Sequence, residues 1–321
     1  MSQVVHDEMA GERGTKLPVL VTGASSGLGL KTAKTLAVEG IPLILGGHDE
    51  QKTAAAVRQI REHAPGAEIE LVDLELASLE AVAAAVDALH RRERPGLGAI
   101  VCNAGLQIVD GVRASRDGYE LTFAVNHLGH FALVTGCGDL LGAGARVVVV
   151  SSDVHQGPRK SMGFPAPRWR DPRALATPGE NAASDRDGRI AYANSKLANV
   201  YFTYELARRW RDRGITVNAF DPGLMPETGL ARGYPAPARI GFRLLAPVLI
   251  KVMPIARTVT RSAADLARLV TDPELAQTTG EYFTGAAQVP SAPESYDRDR
   301  ATRLWQVSEE LVAAARRTSA E

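Results

Sequence analysis

The chain alternates between short apolar runs and longer stretches with helical spacing. The apolar runs are Val19–Val21, Leu43–Leu45, Ile69–Val72, Ala99–Cys102, Arg146–Val150 and Ile215–Phe220, with Glu281–Phe283 as a seventh candidate. Between them, Leu28–Val38, Thr53–Glu62, Leu79–Arg92, Tyr119–Cys137 and Ile190–Arg213 are predicted as helices. Strands joined by crossover helices run parallel, and the crossovers place helices on both faces. The unbroken Val147–Val150 suits a strand buried on both sides. The expected architecture is an α/β fold, a doubly wound parallel sheet with helices on both faces. It forms a single domain over 17–321, after a flexible N-terminal tail at 1–16. Two irregular segments, 157–189 and 224–254, interrupt the pattern. Stretches of that length in compact domains are often functional, and both are predicted as substrate loops.

Sheets of this kind bind ligands at the carboxyl ends of their strands. The first such end carries Thr22-Gly23-Ala24-Ser25-Ser26-Gly27-Leu28-Gly29 and leads into the first helix. Gly23 permits a tight turn, Gly27 lets backbone approach a pyrophosphate, and Gly29 lets the helix pack close to the sheet. The helix N-terminus then offers free N–H groups and a partial positive charge to phosphate. Three glycines alone could be an ordinary turn, but the strand–turn–helix setting favours a nucleotide site.

A second constellation lies on the helix predicted at Ile190–Arg213. Tyr192 and Lys196 are four residues apart and share a face. Tyr192 is the only one of the seven tyrosines with lysine at that spacing. A phenol titrates near about 10, and a neighbouring ammonium pulls that value down. The pair can therefore give and take a proton near neutral pH. Ser151-Ser152 follows the valine strand, where a hydroxyl could meet a developing alkoxide. Asn126 is a polar residue inside a predicted helix and needs partners there.

Composition narrows the remaining classes. Lysine plus arginine equals aspartate plus glutamate, giving zero net charge and no global attraction to nucleic acid. The two cysteines, Cys102 and Cys137, are too few for a disulfide framework, which fits a cytoplasmic protein. Residues 1–16 carry no secretory signal pattern, and no apolar run approaches the roughly 20 residues of a membrane span. His127 and His130 lie one turn apart without an accompanying carboxylate or thiol pattern, so no metal is expected there. His155 follows Ser152 closely and is a candidate pocket residue.

The spacing Gly-x-x-x-Gly-x-Gly at 23–29, together with Asn103-Ala104-Gly105, Tyr192-x-x-x-Lys196 and Pro222-Gly223, resembles the short-chain dehydrogenase/reductase family over nearly the whole chain after the tail. The resemblance implies a Rossmann-type fold and hydride transfer between a nicotinamide cofactor and a carbonyl or alcohol. It implies Ser152, the second serine of its pair, as the catalytic hydroxyl, and Asn126 as holder of a water linked to Lys196. Further cofactor contacts follow at Ser25, Ser26, Leu28, Asp73 and Leu74 (adenine), Asn103 to Gly105, Tyr192 and Lys196, Pro222 and Gly223 (nicotinamide amide), and Thr228. The partner is a small-molecule carbonyl or alcohol. The family's habit is a homodimer or homotetramer through the helices around Tyr119 and Ile190, and the long C-terminal part leaves a monomer open.

At the second strand's end, an acidic residue would hydrogen-bond the ribose of NAD and repel a 2′-phosphate. By the resemblance Gly47 occupies that position, and His48 stands where many NADP-using relatives have arginine. NADP(H) is therefore expected over NAD(H), with Lys52 as a second phosphate candidate and Asp49 as the residue arguing otherwise. Tyr192–Asn199 and Leu304–Ser308 are similar to retinol-dehydrogenase-like members. Gly23–Leu30, Met225–Leu230 and Glu309–Leu311 are similar to light-dependent protochlorophyllide reductases. That second subgroup has a cysteine in the loop before its tyrosine, and 157–189 contains none. Two rival readings are a light-dependent reductase of a chlorophyll precursor and a non-catalytic nucleotide sensor, the latter expected to have lost part of the set Asn126, Ser152, Tyr192 and Lys196. The apolar residues Phe242, Leu244, Leu245, Val248 and Leu249 either cover a hydrophobic substrate or pack as a core helix.

Overall fold

The structure is a computed structural model that describes residues 16–94, 96–108, 111–161, 163–179, 184–225, 253 and 255–318. Among the described residues, eight strands form one sheet in the order β3-β2-β1-β4-β5-β6-β7-β8. They are β1 (Val19–Thr22), β2 (Leu43–Gly46), β3 (Ile69–Val72), β4 (Leu97–Cys102), β5 (Leu141–Val150), β6 (Thr216–Asp221), β7 (Tyr282–Thr284) and β8 (Ala287–Gln288). Strands β1 to β7 pair in parallel. The parallel expectation fails only at β8, which turns back antiparallel on β7 over two residue pairs. The order reverses at β1, so the crevice between the ends of β1 and β4 is the topological switch point.

The helices divide between the two faces. On one, α1 (Gly27–Val38), α2 (Glu50–His63) and a helix late in the chain (Val259–Thr271) bury Leu36, Ile60 and Leu266 against Val21, Leu45 and Val148. On the other, α3 (Leu79–His90), the 121–136 helix, and two long helices at Asp185–Arg209 and Arg298–Thr318 bury Leu89, Phe131, Phe202 and Trp305 against Ile100, Val147 and Val149. Alternate residues of β1 and β5 therefore enter opposite cores, the two-residue period of strands with both faces covered.

The expected helix Tyr119–Cys137 needs correction. It opens with α4 (Leu121–Phe123), passes through a π-helical turn at Ala124–Leu128 and continues as α5 (Gly129–Gly136). A π turn inserts one extra residue into the helical ladder, a feature often found at functional sites. The segment 157–189 is less irregular than expected. It contains α6 (Pro172–Ala176), with proline at its first position and Asp171 as N-cap, and its last residues already belong to α7 (Asp185–Arg209). Helix α7 ends at Arg209, and Arg211–Arg213 forms a separate turn. Helices α8 (Val259–Thr271) and α9 (Arg298–Thr318) were not anticipated. Of the expected tail 1–16, only Lys16 is described, and most of the expected loop 224–254 lies outside the described residues. No helix among the described residues is long and apolar enough to cross a membrane.

Candidate active site

The glycine turn closes at the switch point as its spacing predicts. Gly23 and Gly27 have φ of 66° and 56°, a region that side-chain-bearing residues rarely enter. A Cβ on Gly29 would sit 2.5 Å from both Asn103 Nδ2 and the Gly23 carbonyl oxygen, so only glycine fits. Asn103 and Ala104 hold the turn in place. Both backbone N–H groups donate to Thr22 Oγ1 at 2.9 Å, and Asn103 Nδ2 donates to the Thr22 carbonyl at 2.8 Å. Ser26 begins α1 without a side-chain cap. In contrast, Asp49, Ser78, Ser184 and Thr258 cap α2, α3, α7 and α8. The first-turn N–H groups of α1 therefore have no capping side chain, the arrangement that receives an anion at a helix start.

The end of β2 runs Gly46-Gly47-His48-Asp49. Asp49 accepts the Lys52 backbone N–H at 3.0 Å and also pairs with the Lys52 ammonium, whose hydrogen bond holds the Asp49 carboxyl below its ordinary range. Its carboxylate is thus engaged in capping α2. His48 is exposed and faces Glu75 at 3.4 Å. Leu74, buried at the end of β3, lies over Gly46, while Asp73 beside it is exposed.

Helix α7 and β5 build the second half of the site. Tyr192 and Lys196 share one face, with Lys196 Nζ 5.4 Å from the centre of the Tyr192 ring. Both are buried. Lys196 Nζ and Asn199 Nδ2 each donate to the Val150 carbonyl at 3.1 Å, and Ser151 Oγ donates to the Lys196 carbonyl at 2.8 Å. The end of β5 is thereby fastened to α7 directly before Ser152. Tyr192 also packs with Val154 and Phe164, the latter edge-on at 5.9 Å. Burial draws the Lys196 ammonium down to about 8, opposed by the charge of Asp221.

Asn126 joins this group through the π turn. Its Nδ2 donates to Ser195 Oγ and to the Leu106 carbonyl, each at 3.0 Å, and its Oδ1 accepts the Leu106 N–H at 2.9 Å. Ser195 Oγ in turn donates to the Tyr192 carbonyl at 2.7 Å. The side-chain amide therefore fixes the loop after β4 to α7. A Cβ on Gly105 would lie 3.3 Å from Asn126 Oδ1 and 3.7 Å from Lys196 Nζ, which places these three residues side by side. Pro222 and Gly223 follow β6 close by, with Gly223 at φ 74° and its N–H donating to Asp221. Thr228 lies outside the described residues.

Sequence reasoning named His130 and His155 without the contacts they make, and it passed over a carboxyl pair. His130 Nδ1 lies 3.2 Å from the Asn126 carbonyl and Nε2 lies 2.9 Å from Thr22 Oγ1. A carbonyl only accepts, so Nδ1 carries the proton and Nε2 accepts from the threonine. This neutral imidazole links the glycine turn to the π turn, and burial lowers its pKa to about 4. His155, taken as a pocket candidate, is instead a strut. Its Nδ1 donates to the Ser152 carbonyl at 2.6 Å, and its Nε2 accepts the Ala292 N–H at 3.1 Å. The carboxyl pair is Asp153 and Asp221. His127 turns the other way, toward Ser308 Oγ at 2.9 Å. Among the described residues no group of three His, Cys, Asp or Glu side chains is placed to hold a metal.

Residues 18–164 match the sequence family described as short chain dehydrogenase. The chain is 34% identical over 298 residues to the WW domain-containing oxidoreductase of Homo sapiens, covering 92% of this chain and 67% of that protein. It is also 34% identical over 298 residues to retinol dehydrogenase 13 of Homo sapiens, covering 92% and 84%. Among solved structures, an uncharacterized protein from Mycobacterium Paratuberculosis superposes with a TM-score of 0.65 at 27% identity, covering 93% of this chain and 94% of that one. An NADPH-bound short chain oxidoreductase from Pseudomonas aeruginosa PAO1 shares the fold at 21% identity, with a TM-score of 0.62 and coverage of 84% and 94%. With identity at that level to curated oxidoreductases along nearly its whole length, the chain belongs to the short-chain dehydrogenase/reductase family and is an oxidoreductase.

Proposed function

We propose that this oxidoreductase uses NADP(H) and acts on the carbonyl or alcohol carbon of an apolar substrate, with Tyr192 as its proton donor and acceptor. The observation that carries the reading is the docking of β5 on α7. It puts the Tyr192–Lys196 pair beside the Ser151–Ser152 strand end through the bonds to the Val150 and Lys196 carbonyls.

The glycine turn suits a dinucleotide, because Gly23, Gly27 and Gly29 put no Cβ in the way and the start of α1 has no side-chain cap. Gly23, Ser25, Ser26, Gly27, Leu28 and Gly29 would hold the pyrophosphate, Asp73 and Leu74 the adenine end, and Asn103, Ala104 and Gly105 the middle. Pro222 and Gly223 would meet the carboxamide. Thr228 is assigned by the same reading. A bound nicotinamide supplies or accepts the hydride. In the reducing direction Ser152 and Tyr192 donate hydrogen bonds to the substrate oxygen, and Tyr192 passes its proton to it. The Lys196 ammonium stabilises the phenolate left behind and holds the ribose. Asn126 keeps the loop after β4 and α7 in register, and helps hold the water that returns the proton. Preorganised donors of this kind contribute most where charge develops.

Preference for NADP(H) rests on Gly47 and on the engagement of Asp49 in capping α2, which leaves its carboxylate turned to Lys52. His48 is the phosphate candidate, in exchange for its exposed contact with Glu75. The apolar substrate class rests on Val154 and Phe164 beside Tyr192, and on relatives named as retinol dehydrogenases. Cytoplasmic residence is part of the same proposal. The test is Tyr192→Phe, assayed with NADPH and NADH on aromatic and polyene aldehydes. Turnover should fall by about 10²- to 10⁴-fold with NADPH affinity unchanged. Full activity in the variant, or a parent enzyme faster with NADH, would overturn the corresponding part.

A further inference from the structure

The neighbouring ends of β5 and β6 hold two carboxyl groups that the proposed chemistry does not use. Asp153 follows Ser152 directly, and Ser152 Oγ donates to Asp153 Oδ1 at 3.3 Å. Asp221 ends β6, the strand paired with β5, and is 2% exposed. The Ser151 N–H donates to the Phe220 carbonyl at 2.7 Å, which brings the two strand ends together. The Asp221 carboxyl accepts the N–H of Gly223 at 3.0 Å and the Thr284 hydroxyl at 3.4 Å, and its charge acts on the Asp153 carboxyl. The two aspartates thus form a unit directly behind the candidate serine.

A serine hydroxyl has one hydrogen to donate. If it goes to Asp153 it does not go to a substrate oxygen. A carboxylate accepts such a bond far more strongly than a neutral carboxyl. We propose that Asp153, paired with Asp221, is a positioning residue that decides whether the Ser152 hydroxyl is available to the substrate. This deepens the proposed function and rests on the assignment of Ser152 made there. Ionised, Asp153 holds the hydroxyl back. Protonated, it releases the hydroxyl for the reduction.

The surroundings put this switch in a useful range. Burial, and then the like charge of Asp221, raise the Asp153 carboxyl to about 7. Burial raises Asp221 as well. The other groups facing the pair are Lys196 from α7, Arg257 from the segment before α8, and Tyr282 and Thr284 from β7. Arg257 is ion-paired with Asp265 at 2.8 Å. The Tyr282 phenol is raised by burial and by both carboxyls, so it stays neutral. His155, on the same turn, is neutral above about 4 because it is buried. Lys196 and Arg257 moderate the repulsion within the pair without bonding to Asp153.

The experiment is the pH profile of kcat/KM for reduction of all-trans-retinal by NADPH, from about pH 5.5 to about 9. The parent enzyme should lose about tenfold as pH rises through 7, ahead of any limb from Tyr192 or Lys196. Asp153→Ala should remove that limb and leave the high-pH enzyme about tenfold faster than the parent at the same pH. Asp221→Asn should move the limb to lower pH, because the like charge is gone. A purely structural role for either aspartate would change rates without moving the limb. Carbon-13 NMR of the Asp153 carboxyl in the ligand-free protein gives an independent reading, and its titration should fall toward ordinary aspartate values in Asp221→Asn. If Ser152→Ala is inactive while Asp153→Ala keeps the parental limb, this inference fails and the proposed function stands. If Ser152→Ala is fully active, or the parent reduces no retinal or aromatic aldehyde, the proposed function fails and takes this inference with it.

Discussion

Ser151 Oγ donates a 2.8 Å hydrogen bond to the main-chain carbonyl of Lys196, and both residues are buried. Two adjacent serines thereby differ: Ser151 holds strand to helix, and Ser152 is the one proposed to meet the substrate. Ser151→Ala should lower stability by about 1–2 kcal/mol, read as a fall in Tm. Ser152→Ala should leave Tm nearly unchanged and cut kcat by about 10²-fold or more. Equal effects of the two substitutions on both readings would refute the division.

The close approach of backbone to Gly29 predicts the behaviour of Gly29→Ala. The new methyl would meet Asn103 Nδ2 and the Gly23 carbonyl at 2.5 Å. Neither is the end of a freely moving side chain, because Asn103 is bonded to Thr22. Overpacking of this kind costs about 1–3 kcal/mol. NADPH affinity should fall more than Tm does, measured by fluorescence titration beside thermal unfolding, since the displaced atoms line the turn itself.

Three buried histidines give the fold a predictable acid response. Burial lowers His127 to about 3, and His130 and His155 to about 4, from an ordinary value of 6.5. Below pH 6.5 the unfolded chain binds protons that the folded chain refuses, so stability falls as pH drops from 6.5 toward 4. The contribution is fully present above 6.5. His127→Gln, which can keep a bond to Ser308, should flatten the fall of Tm with acidification. An unchanged slope would assign acid sensitivity to other groups.

The C-terminal helix bears on association. Helix α9 lies along α7, with Trp305 stacked on Phe202 at 6.1 Å and edge-on to Phe131 at 5.0 Å. The Tyr119 hydroxyl donates to the Leu311 carbonyl at 3.0 Å. Helix α9 therefore covers the face around Tyr119 and α7 through which the family resemblance implies association. Light scattering after size exclusion should give a monomer mass, and a dimer at micromolar concentration would contradict it. Trp305→Ala should cost about 3–5 kcal/mol.

What could be read from the sequence was what short spacing encodes. The turn Thr22–Gly29 and the pair Tyr192–Lys196 each complete their geometry within a single element or turn, so residue order alone revealed them. The contacts of His130 and His155 could not be read that way, because their partners Thr22 and Ala292 lie 108 and 137 residues away. The π turn left no mark either, since one extra residue barely disturbs an apolar period. Helix α9 was legible in principle, with Ala301, Leu304, Ser308 and Leu311 buried at three- and four-residue spacing, but its many charges masked the stripe.

The two-residue strand β8 has a consequence for behaviour in crowded solution. Open sheets present a row of unmatched amides at their rims, and neighbouring molecules can add to them like rungs to a ladder. Here the returning hairpin offers only Ala287 and Gln288 at that rim, too little for another chain to grip. Concentrated preparations should therefore resist growth into fibrils from this side of the molecule.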